Sequence, residues 1–210
     1  MIKELVHFLM FPTQVAGYRG MSFSSFFKFL LLKFALAIPF VLILVLAGAD
    51  ELDHKLDDDV FDNPWLFTFF LVCLAPLLEE LVFRLHLDLK KSHILWGLGM
   101  SLLTFRDIWV PFALTFIYLL YLLISVYTKK PPEMKWVILI SSVWFGILHL
   151  ANYSDLDYGR YFYLIPFLIG SQVCGGLVLS FIRLNYGMKW AILIHATFNA
   201  ILFLPTLFVE

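Results

Sequence analysis

Cysteine is nearly missing from this 210-residue chain: Cys73 and Cys174 are its two, and both fall inside apolar runs. A disulfide framework is therefore not expected, and the redox compartment cannot be read. Neither has a histidine near it in sequence, so a nucleophilic thiol is a minor option. Charge is scarce as well, at 15% of residues, and nearly balanced at a net −1. No global field draws the chain to nucleic acid, and no nucleic-acid partner is expected. There is no internal repeat, no low-complexity tract and no ten-residue alternation of the kind a membrane barrel needs. A cleavable signal peptide is missing too. The small residues Ala35-Leu36-Ala37 lie inside an apolar run that begins near Phe29 and continues to Ala47, which reads as an uncleaved span.

What the chain has in excess is apolar surface: 61% hydrophobic residues, 23 phenylalanines and a mean hydropathy of +0.87. Soluble domains sit nearer half apolar, so lipid is the natural solvent here. A helix crossing the hydrocarbon core needs about 20 apolar residues. Seven segments qualify or nearly so: Phe26 to Ala47, Trp65 to Arg84, Ile94 to Phe105, Trp109 to Tyr127, Trp136 to Leu150, Tyr161 to Ile182, and Trp190 to Phe208. The third is too short to span untilted. A bilayer offers open backbone groups no partner, so these segments must be helices. The expected fold is an all-α, polytopic transmembrane bundle of about seven spans, one domain over residues 26–208. Residues 1–25 would form an interfacial segment or a cytosolic tail. Trp65, Trp109, Trp136 and Trp190 stand at expected helix starts, as interface anchors should. Lys3, Arg19, Lys90, Lys91, Lys129, Lys130, Lys135, Arg183 and Lys189 gather on one side. The acidic loop Asp50 to Asp62, with Lys55, Arg106 and Arg160, falls on the other. An odd number of spans satisfies every loop with the N-terminus in the cytosol.

Ionisable groups inside a span are costly, and each asks for a reason. Glu80 and Arg84 are four apart on one helix face and can pair, which makes Glu80 structural. Glu79 is rotated by about 100° from Glu80 and can point into the bundle as a tunable base. Pro76 just ahead removes the amide that would bond the carbonyl of Val72 and is expected to kink the helix. His149 closes the run Phe145-Gly146-Ile147-Leu148-His149, with Asn152 three residues on; Gly146 would let another helix approach closely. His195 and Asn199 share a face at four-residue spacing and offer two directed donors for a developing oxyanion. Each group also has a plainer use: an ion pair that locks helices, a satisfied polar helix tip, an interhelical hydrogen bond. Together they fit a water-activating site, with Glu79 as base, His149 orienting the water or sharing its proton, and His195 and Asn199 on the oxyanion side. The alternative is Zn²⁺ held by Glu79, His149 and His195, although no His-Glu-x-x-His run is present.

Glu-Glu-x3-Arg at Glu79 to Arg84, Phe-x3-His at Phe145 to His149 and His-x3-Asn at His195 to Asn199 follow one another on separate hydrophobic helices. This order resembles the CPBP family of type II CAAX prenyl endopeptidases and bacteriocin-processing or immunity proteins, also called Abi. Arg183-Leu184-Asn185-Tyr186-Gly187, followed by Trp190, resembles the family's last block. The similarity covers about residues 65–205. It implies an intramembrane endopeptidase, metallo or glutamate-dependent. Glu79 and His149 would activate the water, His195 and Asn199 would form the oxyanion side, and Glu80 and Arg84 would support them. No cofactor is firmly implied. The expected partners are the bilayer and a peptide or protein substrate, prenylated or bacteriocin-like, and the expected location is a bacterial inner membrane. Two other functions share the same residues: a proton-coupled transporter, which the lack of a repeat weakens, and a non-proteolytic immunity or scaffold protein.

Overall fold

Backbone amides that find no water must bond within their own segment, and every element among the described residues is helical. The structure is a computed structural model that describes residues 2–12, 17–49, 52, 63–104, 109–153 and 156–208. Among the described residues eight helices follow in order: α1 (Ile2–Met10), α2 (Phe23–Leu46), α3 (Pro64–Asp88), α4 (Lys91–Thr104), α5 (Trp109–Tyr127), α6 (Met134–Asn152), α7 (Tyr158–Tyr186) and α8 (Met188–Phe203). Of these, α2, α3, α5, α6 and α7 are long and apolar enough to cross a bilayer. At 1.5 Å per residue, the 14-residue α4 and the 16-residue α8 rise only about 21 and 24 Å; both fall on segments read as spans from sequence. The expected all-α polytopic bundle of about seven segments is the architecture found. The acidic stretch from Asp50 to Asp62, apart from Leu52, and Arg106 lie outside the described residues.

Sequence sets the helix ends. Ser22 caps α2 by accepting the Ser25 amide at 3.1 Å. Asn63 accepts the Leu66 amide at 3.1 Å, with Pro64 at the first helical position, where a missing amide costs nothing. Asp157 caps α7 through the Gly159 and Arg160 amides. Gly187, at φ +100°, takes a backbone conformation that L side chains rarely adopt and turns α7 directly into α8.

Helix α7 is the centre of the bundle. Helices α2, α6 and α8 all pack on it, and its second half is buried from Val178 to Asn185. An ideal Cβ on Gly146 would lie 2.6 Å from Val173 Cγ2 and 3.0 Å from the Ile169 carbonyl, so the glycine is what lets α6 approach α7, as its place in the motif led us to expect. The outward faces are apolar: Leu31, Val41, Leu66, Ile117, Ile140 and Leu193 are all exposed, a surface suited to lipid. Helix α1 lies against the bundle, with Leu5 and Phe8 buried and the Phe8 ring edge-on to Phe181 at 5.1 Å.

Helix α3 is irregular where the site forms. It runs as α-helix to Phe69, widens into a π-helical turn at Phe70–Leu74, resumes as α-helix over Ala75–Phe83, and ends in a 3₁₀ turn at Leu85–Asp88. The distortion expected from Pro76 thus takes the form of a π-turn just ahead of it, one of the identifiable causes of helix irregularity.

Candidate active site

Successive residues on a helix point about 100° apart, and Glu79 and Glu80 accordingly face different surroundings. Glu80 is fully buried. Its Oε1 accepts the Nδ1–H of His195 at 2.9 Å and pairs with Arg84 Nη1 at 3.4 Å. Arg84 is also fully buried, and its guanidinium carbon stands 4.0 Å from the centroid of the Phe145 ring. Electrostatic attraction to the ring face replaces part of the hydration the cation has lost. Space for the guanidinium comes from α7: an ideal Cβ on Gly176 would sit 2.9 Å from Arg84 Nη2.

Glu79 turns the other way. Its side chain is 25% exposed, into a cavity of about 500 Å³, and its Oε2 lies 3.6 Å from His195 Nε2. The His195 ring therefore stands between two carboxylates, fixed to the buried one through Nδ1 and presenting Nε2 to the accessible one. A gap of 3.6 Å is longer than a direct hydrogen bond and is one that a single water can bridge.

His149 and Asn152 line the same cavity from the 3₁₀ turn that ends α6, and Asn199 lines it from α8. His149 donates Nδ1–H to the Phe145 carbonyl at 2.7 Å, which leaves Nε2 as the acceptor of the neutral ring. The Phe145 ring lies between the two imidazoles, 4.5 Å from His149 and 6.1 Å from His195 by centroids.

Asn199 has a backbone partner that its spacing did not announce. The Ala75 amide bonds the Phe70 carbonyl, five residues back, and position 76 is proline with no amide to give. The Leu71 carbonyl is thereby deprived of both its α-type and its π-type donor, and Asn199 Nδ2 fills the vacancy at 2.9 Å. One of the two amide protons of Asn199 is committed to the fold.

The expected site residues Glu79, His149, Asn152, His195 and Asn199 all reach one cavity, with Glu80 and Arg84 directly behind it. Sequence reasoning passed over Lys33, which reaches the same cavity from α2 and is 94% buried, its Nζ 4.2 Å from the Phe198 ring centroid. A lysine inside an otherwise apolar span was the available signal. Also missed was the partner of Arg183. Asp88 accepts from Arg183 Nη2 at 3.0 Å and from His93 Nδ1 at 2.8 Å, and the other terminal nitrogen of Arg183 donates to the Tyr18 hydroxyl. This buried cluster ties the end of α3 to α7 and to the segment before α2.

The rest of the cavity is apolar. Ile38, Val41 and Leu42 of α2 line it and are each more than half exposed, so it opens along α2, on the apolar side of the bundle. Among the described residues, no three His, Cys, Asp or Glu side chains are grouped so that they could hold a metal ion. The donor set alternatively expected for zinc, Glu79, His149 and His195, shares the cavity without forming such a group.

These features define a class: a polytopic integral membrane protein with acids, imidazoles and an amide converging on a lateral apolar cavity. The profile of the type II CAAX prenyl endopeptidase Rce1-like family matches residues 61–201, and the chain belongs to that family. Membership places it among membrane-embedded CAAX-type peptidases, with a peptide or protein as substrate. No curated protein and no solved structure shows a significant match to the chain.

Proposed function

We propose that this protein is an endopeptidase in which Glu79 activates water for attack on a substrate peptide bond inside the cavity. The observation that carries the reading is the division of labour between adjacent acids. Glu80 is fully buried and held through one carboxylate oxygen by Arg84 and His195, whereas Glu79 is open to the cavity with an imidazole nitrogen 3.6 Å away. A base must reach its proton directly or through one water, and Glu79 has that access. The water lies between Glu79 Oε2 and the imidazoles, with His195 held in orientation by Glu80 and His149 by the Phe145 carbonyl. The second amide proton of Asn199 faces the developing oxyanion. Glu79 then returns the proton to the leaving nitrogen. No step passes through a metal.

The apolar wall along α2 suits a substrate that arrives within the membrane, a lipidated peptide above all. The asymmetry of Lys and Arg supports an N-terminus in the cytosol and a location in a bacterial inner membrane is retained as part of this reading. The test is the full-length protein in proteoliposomes with a farnesylated peptide ending in Cys-aliphatic-aliphatic-X, and the same peptide without its lipid. Wild type cleaves, while Glu79→Gln and Glu79→Ala lose about 10²-fold or more and His149→Ala a comparable amount. Equal cleavage by all of them would remove the assignment. Dialysis against a chelator leaves the rate unchanged; a loss that Zn²⁺ restores would instead make Glu79, His149 and His195 ligands.

A further inference from the structure

An oxyanion needs proton donors or positive charge, and the donors expected from sequence are largely engaged. His195 gives its Nδ1 proton to Glu80, and the neutral ring then carries no proton on Nε2. His149 gives its Nδ1 proton to the Phe145 carbonyl. Asn199 has spent one of two amide protons on the Leu71 carbonyl. Arg84, the nearest guanidinium, is fully buried behind Glu80 and lies under Phe145.

Among the described residues, Lys33 is the one cation that lines the cavity. It stands near the middle of the 24-residue α2, about 15 Å of helix rise from the nearer end, too deep for its side chain to carry the ammonium to the membrane surface. It is 6% exposed, and its Nζ contact is with the Phe198 face, one residue before Asn199. An aromatic face holds an ammonium without using up its protons as a carboxylate would. Its height is that of the acids: an ideal Cβ on Gly175 would meet Lys33 Cε at 3.5 Å, and one on the adjacent Gly176 would meet Arg84 Nη2 at 2.9 Å.

We propose that Lys33 is a catalytic residue of this peptidase, the electrophile whose ammonium faces the carbonyl oxygen as it becomes an oxyanion. The inference rests on the peptidase reading above and adds a residue to it. Glu79 removes a proton from water as the water oxygen bonds the carbonyl carbon, and the carbonyl π pair moves onto oxygen beside Lys33. Collapse restores the C=O bond and breaks C–N, and the Glu79 carboxyl delivers its proton to the departing nitrogen. One water is consumed, an acid and an amine are released, and no oxidant or reductant takes part. Charge is balanced throughout: Arg84 offsets Glu80, and the ammonium offsets first Glu79 and then, once Glu79 has taken the proton, the oxyanion. In lipid an unbalanced charge is expensive, so the second acid calls for the second cation.

The experiment compares wild type, Lys33→Met and Lys33→Arg, all full length in proteoliposomes. Two readouts are taken: hydrolysis of the farnesylated peptide, and binding of a phosphinate peptide against its uncharged ketomethylene isostere. Lys33→Met keeps an unbranched side chain one atom shorter and suits an apolar span, so the fold persists, as a monodisperse elution profile checks. Expected is a fall in kcat of about 10²- to 10³-fold with KM within about twofold, partial recovery in Lys33→Arg, and loss in Lys33→Met of the preference for the phosphinate. A kcat for Lys33→Met within about threefold of wild type, or a defect confined to KM, overturns the proposal. Should wild type hydrolyse no peptide, the peptidase reading falls by itself. The binding comparison then still decides whether the Lys33 ammonium faces an anion in the cavity: a phosphinate preference that survives Lys33→Met overturns that placement, and one that disappears supports it.

Discussion

Substituting Gly176 by alanine tests whether the buried Arg84 is held where the structure puts it. A methyl group there would sit 2.9 Å from Arg84 Nη2, 3.2 Å from Ser142 Cβ and 3.3 Å from Ser142 Cα. The guanidinium can swing, but the Ser142 backbone cannot, so α6 and α7 must part or Arg84 must leave the face of Phe145. Overpacking of this kind costs about 1–3 kcal/mol, and alanine's helix advantage over glycine returns about 0.5–1 kcal/mol. The net loss is about 0–2.5 kcal/mol. At about 2–4 °C per kcal/mol for a chain of this length, Tm falls by up to about 10 °C. Gly175→Ala is the control, because its nearest neighbour is Lys33 Cε at 3.5 Å, an ordinary contact. That variant should hold or raise Tm. Thermal unfolding of purified variants in one detergent reads both, and hydrolysis falls with Gly176→Ala as Arg84 shifts and releases Glu80 and His195. A Gly176→Ala protein at least as stable as Gly175→Ala would refute the packing argument.

Arg84→Met leaves Glu80 buried without its cation and should cost about 3–5 kcal/mol, while the double variant Glu80→Gln, Arg84→Met recovers most of that in the same melting assay. Asp88→Ala strands the buried Arg183 and is expected to cost a similar amount, about 3–5 kcal/mol, whereas Tyr18→Phe removes a single hydrogen bond worth about 1 kcal/mol; equal melting shifts for the two would contradict the cluster's hierarchy. Asn199→Ala leaves the Leu71 carbonyl unpaired, at about 1–3 kcal/mol. Pro76→Ala in that background restores an amide beneath the π-turn, and a thermal cycle in which the two changes are strictly additive would show that they do not share the carbonyl.

Helix identity was legible because apolar run length is a strong signal in lipid: the expected Trp109 to Tyr127 span is the observed helix, and α2 differs from its expected span by a few residues. The triple of motifs also picked out side chains that the fold brings to one cavity, since each intramembrane charge demands a reason. What could not be read was which partner each takes. Asn199 and His195 look alike at four-residue spacing. Yet Asn199 serves a backbone carbonyl, and His195 serves a carboxylate 115 positions away. Relative depth was equally hidden. His149 begins the 3₁₀ turn that ends α6 while His195 lies in the first half of α8, yet both rings pack near Phe145 and line one cavity. Lys33 escaped notice because it carries no motif and its partners come from α7 and α8, far along the chain.

Pro76 shows how closely the irregular backbone and the chemistry depend on each other. A regular α3 would bond the Leu71 carbonyl to the Ala75 amide and leave Asn199 without a reason to approach. The π-turn at Phe70–Leu74 frees that carbonyl, and Asn199 answers it, which joins α8 to α3 one turn of helix from where His195 meets Glu80. Two contacts four residues apart on α8 then fix the rotation of that helix against α3. Fixed rotation is what keeps His195 Nε2 directed at Glu79 rather than at lipid. The backbone distortion thus works through Asn199 on His195, the imidazole that faces both acids among the described residues, and a repair of the helix at Pro76 should loosen the site before it unfolds the bundle.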